Sequence, residues 1–442
     1  MSAETATPAS RPASGRMAAV NEMARLLRVL FEVEREFLRT VTTLIYRVGD
    51  PELKYLLCQH AWESAGHARF LRERGRELTS FGSTETVRDS VGKIFTEAVG
   101  TNSQDALVLT AGFYKVLKPA LLSAYRHYLK VTDPLADWPS KKLVEEFIAD
   151  EERHTREITP YLNGTDAREW SLHITQALDD LGGWLGQDTR LPLAASYVWQ
   201  HTTTPYKHPA TCNRGKYPTC SSVFSYDATE TPIVRPWLVD PKTDARVIRL
   251  MVYVWLMMEM DAVDYLATVF IDTPQAPFDL HYDMARHLWD ESRHSQFGFR
   301  QLPKLGVDLM TVEHSLDLYN ILVQMPPHER YAMMTMEFEA GSFSAKAHVM
   351  DRVRELNDFE ADTLLAFDRN DEQNHVRYGH RWLPEIMALC GETRPVDEFV
   401  KATKERFKTV AAIHGNRTPH SLPPERRLTG EKILRLAVEA SV

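Results

Sequence analysis

A glutamate followed three residues later by a histidine occurs three times in this sequence, each time directly after an aspartate. The three motifs are DEERH at 150–154, DESRH at 290–294 and DEQNH at 371–375. On a helix, residues three positions apart lie on the same face, so each motif offers a carboxylate and an imidazole to one point. Oxygen-rich ligation with one histidine per ion suits iron or manganese, whereas structural zinc sites favour thiolates. The motifs therefore predict a metal site.

The second and third motifs are the better candidates, because each follows a helical pattern that contains its own glutamate. One of these glutamates lies 32 residues before its motif glutamate and the other lies 33 residues before. Four-helix bundles hold two metal ions with one glutamate from each of two helices and one Glu-x-x-His from each of the others. The predicted metal ligands are Glu259, Glu291, His294, Glu339, Glu372 and His375.

Two ligand positions have alternatives. Glu337 competes with Glu339, and the two point about 200° apart on a regular helix, so only one can face inward. Spacing and the small residues after it favour Glu339. His287 lies one turn before Glu291 on the same face, so it is either an extra metal ligand or a hydrogen-bonded core histidine.

Three aspartates accompany the ligands. Asp290 and Asp371 directly precede the motif glutamates, and we expect them to accept the outer N–H of a ligand histidine and fix its orientation. Asp368 lies one turn before Glu372 and could be an outer acid of the site or an exposed one.

Apolar residues recur at three- and four-residue spacing through most of the chain, which predicts an all-α fold of two four-helix bundles in tandem. A long stretch rich in Pro, Gly, Thr and Asn separates them. The predicted divisions are a disordered N-terminus at 1–16, a helical domain at 17–160, an irregular connector or lid at 161–244, a metal-binding helical domain at 245–400 and a C-terminal tail at 401–442.

Internal similarities support this division. Residues 294–303 and 375–384 both read H-x-x-x-G-x-R-x-L-P, and HAWESAGH at 60–67 aligns with HLWDESRH at 287–294. In that alignment Ser64 stands where Glu291 stands in the second unit. The first unit is therefore predicted to be a degenerate copy that lacks a full metal site.

The second unit resembles the ferritin-like family of carboxylate-bridged di-iron oxygenases and oxidases over residues 245–385. DESRH at 290–294 is similar to the Asp-Glu-x-Arg-His signature of the bacterial di-iron monooxygenase hydroxylases, and six positions match the family's ligands. The extra histidine at His287 is similar to the additional histidine ligand of the di-iron arylamine N-oxygenases, although theirs lies on another helix. The resemblance implies a ferritin-like fold and two bound Fe ions, or one Fe and one Mn.

These features predict an oxidoreductase that activates O₂ and oxidises a small organic substrate by hydroxylation, N-oxygenation, desaturation or oxidative cleavage. No dinucleotide-binding fingerprint occurs, so electrons would come from an external donor or from the substrate. The alternative is a ferritin-like protein for iron handling or peroxide detoxification. A homodimer is the base-rate expectation for such a bundle.

Composition narrows the remaining classes. The net charge of −9 argues against a nucleic-acid partner, and four cysteines in 442 residues argue against a disulfide framework. No apolar run approaches the length needed to cross a bilayer and residues 1–16 lack the core of a signal peptide, so a cytoplasmic location is expected. A zinc site is a weaker alternative, because its spacing matches no common zinc motif; its residues would be His201, His208, Cys212 and Cys220.

Overall fold

A computed structural model gives the fold of this protein. It describes residues 20–78, 92, 94–95, 105–185, 208–209, 211–221, 238–415 and 417–439, so the predicted disordered start at 1–16 lies outside the described residues. The all-α prediction is confirmed. Within these ranges, β structure is confined to a parallel pair of two-residue strands, β1 (Thr219–Cys220) and β2 (His314–Ser315).

The helices fall into two series. The first series is α1 Val20–Ile45, α2 Pro51–Leu78, α3 Ala106–Val131, α4 Trp138–Ile158 and α5 Arg168–Asp180. The second series is α6 Ala245–Met258, α7 Met260–Asp272, α8 Phe278–Lys304, α9 Asp317–Leu322, α10 Pro327–Ala332, α11 Phe343–Arg354, α12 Phe359–Leu389, α13 Val396–His414 and α14 Gly430–Glu439. Short 3₁₀ turns lie at Thr159–Leu162, Leu309–Thr311 and Pro424–Arg426.

Two helices that the sequence predicted to be continuous are interrupted. The helix beginning at residue 245 breaks at Glu259, whose ψ of −6° ends α6 before α7 begins. After α10 the chain forms a π-helical stretch, Met333–Glu339, followed by a short turn before α11. π-Helical turns are rare and occur mostly near functional sites. Both interruptions fall on predicted metal ligands.

The two helical series pack directly on each other rather than being separated by the connector. Helices α1 and α2 lie against α7 and α8, and one continuous apolar core runs through both. Phe31 and Phe278 meet edge to face with ring centroids 5.4 Å apart. The buried Lys54 ammonium lies 2.6 Å from the Asp264 carboxylate, which ties α2 to α7.

Parts of the predicted connector and tail are helical. Within 161–244, helix α5 packs on α3. Residues 211–221 are anchored to α7, because the buried Arg214 pairs with Asp261 (2.9 Å) and Asp264. The predicted boundary at 400 falls inside α13, and α14 packs against α6. Helix α5 extends the core of the first series, and α13 and α14 extend that of the second, because each buries an apolar face there.

One described helix, α3, is long and apolar enough to cross a membrane by length and composition, which the sequence expectation overlooked. Of its most apolar window, 56% is buried inside the fold. At its middle, the buried Lys118 makes an ion pair with Glu151 of α4. A core helix of the bundle explains both observations.

The repeated H-x-x-x-G motif has a steric cause. A Cβ on Gly298 of α8 would collide with the backbone of Tyr253 and Met257 on α6, and a Cβ on Gly379 of α12 would collide with the Thr335 side chain. The two glycines therefore allow each ligand helix to approach its neighbour closely, one turn after the motif histidine.

We expect Gly298→Ala to destabilise the protein by about 1–3 kcal/mol, because the backbone of α6 must move to admit the methyl group. Denaturant unfolding followed by circular dichroism measures this. Gly66→Ala is the matched control on α2, since nothing lies within 4 Å of the Cβ it would add. Equal midpoints for the two variants would contradict the steric explanation.

Candidate metal centre

All six predicted ligands lie together inside the second helical series, and two of their neighbours join them. They form two adjacent groups of four potential ligands, within each of which the ligand atoms lie within 4.8 Å of one another. The first half-site consists of His287, Glu291, Glu339 and His375. The second half-site consists of Glu259, His294, Asp368 and Glu372.

The first half-site brings three helical segments together. His287 and Glu291 come from α8, His375 comes from α12, and Glu339 ends the π-helical stretch. The Nε2 of His287 lies 2.7 Å from Glu339 Oε1, and the Nδ1 of His375 lies 3.3 Å from the same oxygen. The rings of the two histidines stack with centroids 3.7 Å apart. The structure thus places His287 among the candidate ligands.

The second half-site is built around His294. Its Nδ1 lies 3.3 Å from both Glu259 Oε2 and Asp368 Oδ1. Glu372 closes the group and accepts a 2.6 Å hydrogen bond from the Ser342 hydroxyl. Asp368 is fully buried, so it is an inner acid rather than an exposed one.

Glu291 links the two half-sites. Its Oε1 lies 3.2 Å from His375 Nδ1 of the first half-site and 3.9 Å from His294 Nδ1 of the second. A carboxylate in this position can contribute oxygens to two ions at once.

Each motif aspartate orients the histidine of the other helix. Asp371 on α12 lies 3.3 Å from His294 Nε2, and Asp290 on α8 lies 3.3 Å from His375 Nε2. A carboxylate can only accept, so each histidine donates from Nε2, and its Nδ1 is the ring nitrogen turned toward the cluster, where it would bind an ion through its lone pair. Arg293 donates hydrogen bonds to both aspartates and so holds them in place. Carboxylates fix metal-ligating histidines in this way.

The donor atoms of the cluster fit a pair of cations. Among the described residues, seven of its buried polar atoms have no hydrogen-bond partner, and each such atom costs about 1–3 kcal/mol unless something binds it. They are Glu259 Oε2, Glu291 Oε1, Glu339 Oε2, Asp368 Oδ2, His287 Nδ1, His294 Nδ1 and His375 Nδ1. These atoms are oxygens and imidazole nitrogens, the donors that iron and manganese accept.

The two half-sites differ in their electrostatics. Burial, reinforced by Asp368, raises the pKa of Glu259 to about 7 and that of Glu372 to about 8. In the first half-site burial also acts to raise the pKa of Glu291 and Glu339, but contacts with histidines outweigh it and lower the pKa of both. Contacts with histidines therefore outweigh burial in the first half-site, whereas burial prevails in the second even though Lys346 acts to lower both pKa values there.

Sequence reasoning missed Lys346. This buried side chain on α11 places its Nζ 2.6 Å from Asp368 Oδ1, 3.8 Å from Glu259 Oε1 and in contact with Glu372. Burial opposes its charge, but the three carboxylates hold the pKa of Lys346 well above its usual value. The only available sequence signal was its position seven residues after Glu339, or two helical turns.

Glu337, the alternative to Glu339, lies outside the cluster. Its Oε2 is 2.5 Å from the Lys404 ammonium on α13. The two glutamates stand at the end of the π-helical stretch, where the wider turn changes the direction of successive side chains. The structure therefore places only Glu339 among the candidate ligands.

The first helical series repeats this arrangement with substitutions. His60 and His154 stack with centroids 3.9 Å apart, as His287 and His375 do in the second series. The Nδ1 of His67 lies 3.0 Å from Glu34 Oε1, matching the contact of His294 with Glu259. The same framework of imidazoles thus occurs twice.

The acids that contact the outer nitrogens of the histidines are also repeated in the first series. Asp150 lies 3.2 Å from His67 Nε2, and Glu63 contacts His154 Nε2, as Asp371 and Asp290 do in the second series. Glu63 therefore corresponds to Asp290, which orients a histidine. It does not supply the carboxylate that Ser64 lacks at the position of Glu291. Arg153 bonds both acids and corresponds in role to Arg293.

A lysine occupies the centre of the first copy. The Lys118 Nζ lies 2.8 and 2.7 Å from the two oxygens of Glu151 and 3.0 Å from His154 Nδ1. Tyr114 takes the place of Glu339, with its hydroxyl 2.8 Å from His60 Nδ1. Although Glu34, His67 and Glu151 are close enough to hold an ion, the ammonium already neutralises Glu151.

The alternative zinc residues do not gather at one point. His208 lies 2.7 Å from Asp272, Cys212 lies against Asp261, and His201 is outside the described residues. Cys220 groups instead with Glu313 and His420. The Glu313 carboxylate there already accepts hydrogen bonds from His420 (2.6 Å) and the Leu422 backbone (2.9 Å).

We expect Asp290→Asn to weaken divalent metal binding by about 10- to 100-fold, because His375 loses the carboxylate that orients it. Equilibrium dialysis against Mn²⁺ with metal analysis measures this. Asp283→Asn is the matched control on the same helix, where the carboxylate bonds Trp382 instead. An equal loss of affinity in both variants would contradict the orienting role.

The pH dependence of stability tests the first copy. Burial alone would lower the pKa of His67, but Glu34 and Asp150 raise it to about 9. The resulting stability is fully present below the unfolded pKa of 6.5 and is lost as pH rises through 9. We expect a loss on the order of 3 kcal/mol across this window.

His67→Gln should flatten this part of the stability profile, measured as the urea midpoint between pH 6 and 9.5. His380→Gln, at an exposed position on α12, is the control. If the urea midpoint of the wild type rises between pH 6.5 and 9 relative to that of the His67→Gln variant, the expected direction of the pH dependence is wrong.

Comparison with known proteins adds a single family. Residues 236–418 match a family described as "Protein of unknown function (DUF455)". No curated protein and no solved structure matches the chain. The matched segment contains every residue of both half-sites, from Glu259 to His375, whereas the lysine-centred copy lies before it. The chain is thus similar, over its candidate metal centre, to a family whose function has no description.

Proposed function

We propose that this protein is a non-haem oxidoreductase in which two iron ions, or one iron and one manganese ion, activate O₂ to oxidise a small organic substrate. The observation that carries the proposal is the pair of adjacent half-sites, in which several buried oxygens and nitrogens lack hydrogen-bond partners among the described residues. The resemblance to the ferritin-like di-iron oxygenases supports it.

The charge of the cluster favours two divalent ions. Five carboxylates and the Lys346 ammonium leave a net charge of −4, which two divalent cations would neutralise. Carboxylate and imidazole donors without thiolate favour iron or manganese over structural zinc. Bound at these half-sites, such ions would supply the redox chemistry with O₂ that amino acid side chains lack.

The protein's own residues orient the candidate ligands and exclude water from the site. Asp290 and Asp371 hold two ligand histidines in one orientation, and Glu291 stands between the half-sites. Tyr265 and Met334 lie buried and in contact beside the cluster. Burial raises the pKa of the Tyr265 phenol well above its usual value, so this wall of the site stays uncharged.

Several outcomes fit a centre of this kind, namely hydroxylation, N-oxygenation, desaturation and oxidative cleavage. The open pockets found between α3 and α5, near Trp170 and Arg168, contain no residue of either half-site. They therefore give no support to a particular substrate. The electrons would come from an external donor or from the substrate itself.

Metal analysis of the purified protein, followed by an optical spectrum and O₂ uptake after the reduced protein is mixed with O₂, tests the proposal. We expect two iron or manganese ions per chain and consumption of O₂. Glu339→Ala should remove most of the metal, because it deletes a ligand of the first half-site.

Glu337→Ala is the matched control, since Glu337 lies two residues away and pairs with Lys404 outside the cluster. Metal content that is equally reduced, or equally retained, in the two variants would contradict the ligand assignment. A mineral core within a high-order shell would favour the alternative of iron handling. A chain that binds neither iron nor manganese would overturn the proposal.

A further inference from the structure

Lys346 makes the two half-sites unequal. Its ammonium contacts three of the four second-half-site residues, Asp368 at 2.6 Å, Glu259 at 3.8 Å, and Glu372. An ion held by these carboxylates would have to share with the ammonium the oxygens that it contacts. We infer that Lys346 competes with the second metal ion, so that the centre loads in two steps, the first half-site before the second. This inference rests on the proposed metal centre.

The first half-site has no such competitor. The ion pairs of Glu291 and Glu339 in the described part of the chain are all with histidines, and none is with a lysine or an arginine. A divalent ion entering there meets three inward-facing donors and displaces no cation. It therefore binds at lower metal concentration than an ion entering the second half-site.

The first helical series shows that a lysine can take the place of a metal in this framework. Lys118 is held by both oxygens of Glu151 and by His154, within the same histidine pair and outer braces that surround the second-series cluster. Lys118 directly follows a π-helical stretch within α3, Phe113–Leu117, and Lys346 lies on α11, which follows the π-helical stretch Met333–Glu339.

Electrostatics makes the competition direct. Two cations that share the oxygens of Glu372 and Asp368 repel one another, and little water is present to screen them because every group is buried. An ion in the second half-site must therefore move the ammonium away. The ring of Trp255, 5.5 Å from Nζ, offers a cation an aromatic face close by.

Stepwise loading can be measured on the full-length protein after the metal has been removed with a chelator. Equilibrium dialysis against increasing free Mn²⁺, with metal analysis, counts the ions bound per chain. The EPR signal of Mn²⁺ reports when two neighbouring ions are present. For the wild type we expect a first ion to bind with higher affinity and a second ion to bind at least about tenfold more weakly.

Lys346→Met should raise the affinity for the second ion by about tenfold or more and leave the affinity for the first ion unchanged. Residues that contact metal ligands change metal affinity by a similar factor. Lys346→Arg keeps the charge and should keep the two steps apart. Lys404→Met removes one exposed charge outside the cluster and should change neither step. Circular dichroism and thermal unfolding show whether each variant is folded.

Two equal binding steps in the wild type would overturn the inference while leaving the metal centre intact. A Lys346→Met variant that binds the second ion no more tightly than the wild type or Lys346→Arg would do the same. Absence of any bound ion in the wild type would overturn both, so the two failures are distinguishable. If Lys346→Met fails to fold, Lys346→Gln, which retains hydrogen-bonding capacity, replaces it in the same titration.

Discussion

Buried negative charge is the constraint on which the rest of the second helical series depends. Five carboxylates lie within one bundle and are nearly or fully inaccessible to water, and an isolated charge in such surroundings costs far more than a single fold can supply. The carboxylates persist only if cations compensate them. Lys346 supplies one positive charge, and Arg293 pairs with the outer acids Asp290 and Asp371. The remaining inward-facing atoms are the donors that the proposed metal ions would bind.

The duplicated architecture shows two solutions to this constraint. Both copies keep a stacked pair of histidines and a glutamate in contact with a third histidine. In both, an acid on each of two helices contacts the outer nitrogen of a histidine on the other helix. The first copy has Ser64 and Tyr114 where the second has Glu291 and Glu339, so it carries less negative charge, and a lysine at its centre is sufficient. A framework of braced imidazoles is thus compatible with either a fixed ammonium or exchangeable metal, depending on how many carboxylates surround it.

Close helix packing positions the site. Gly298 and Gly379 stand one turn after the ligand histidines and let α8 and α12 approach their neighbours, and the two series share a continuous core. Irregular backbone then directs the remaining ligands, with Glu259 at the break between α6 and α7 and Glu339 at the end of a π-helical stretch. Rigid surroundings hold these interruptions, because α7 is fixed from outside by Lys54 and Arg214.

The sequence alone determined the helical class and six candidate ligands, because the Glu-x-x-His spacing and the apolar period are local properties of a helix. It left open the choice between Glu337 and Glu339 and the role of His287, and it gave no sign that Lys346 enters the cluster. It described a mainly irregular connector and tail with room for short helices, and it did not locate α5, α13 or α14. Only the tertiary structure decided these points, since a side chain's direction after a π-helical turn, and the partner a buried charge meets, depend on which faces of distant helices come together.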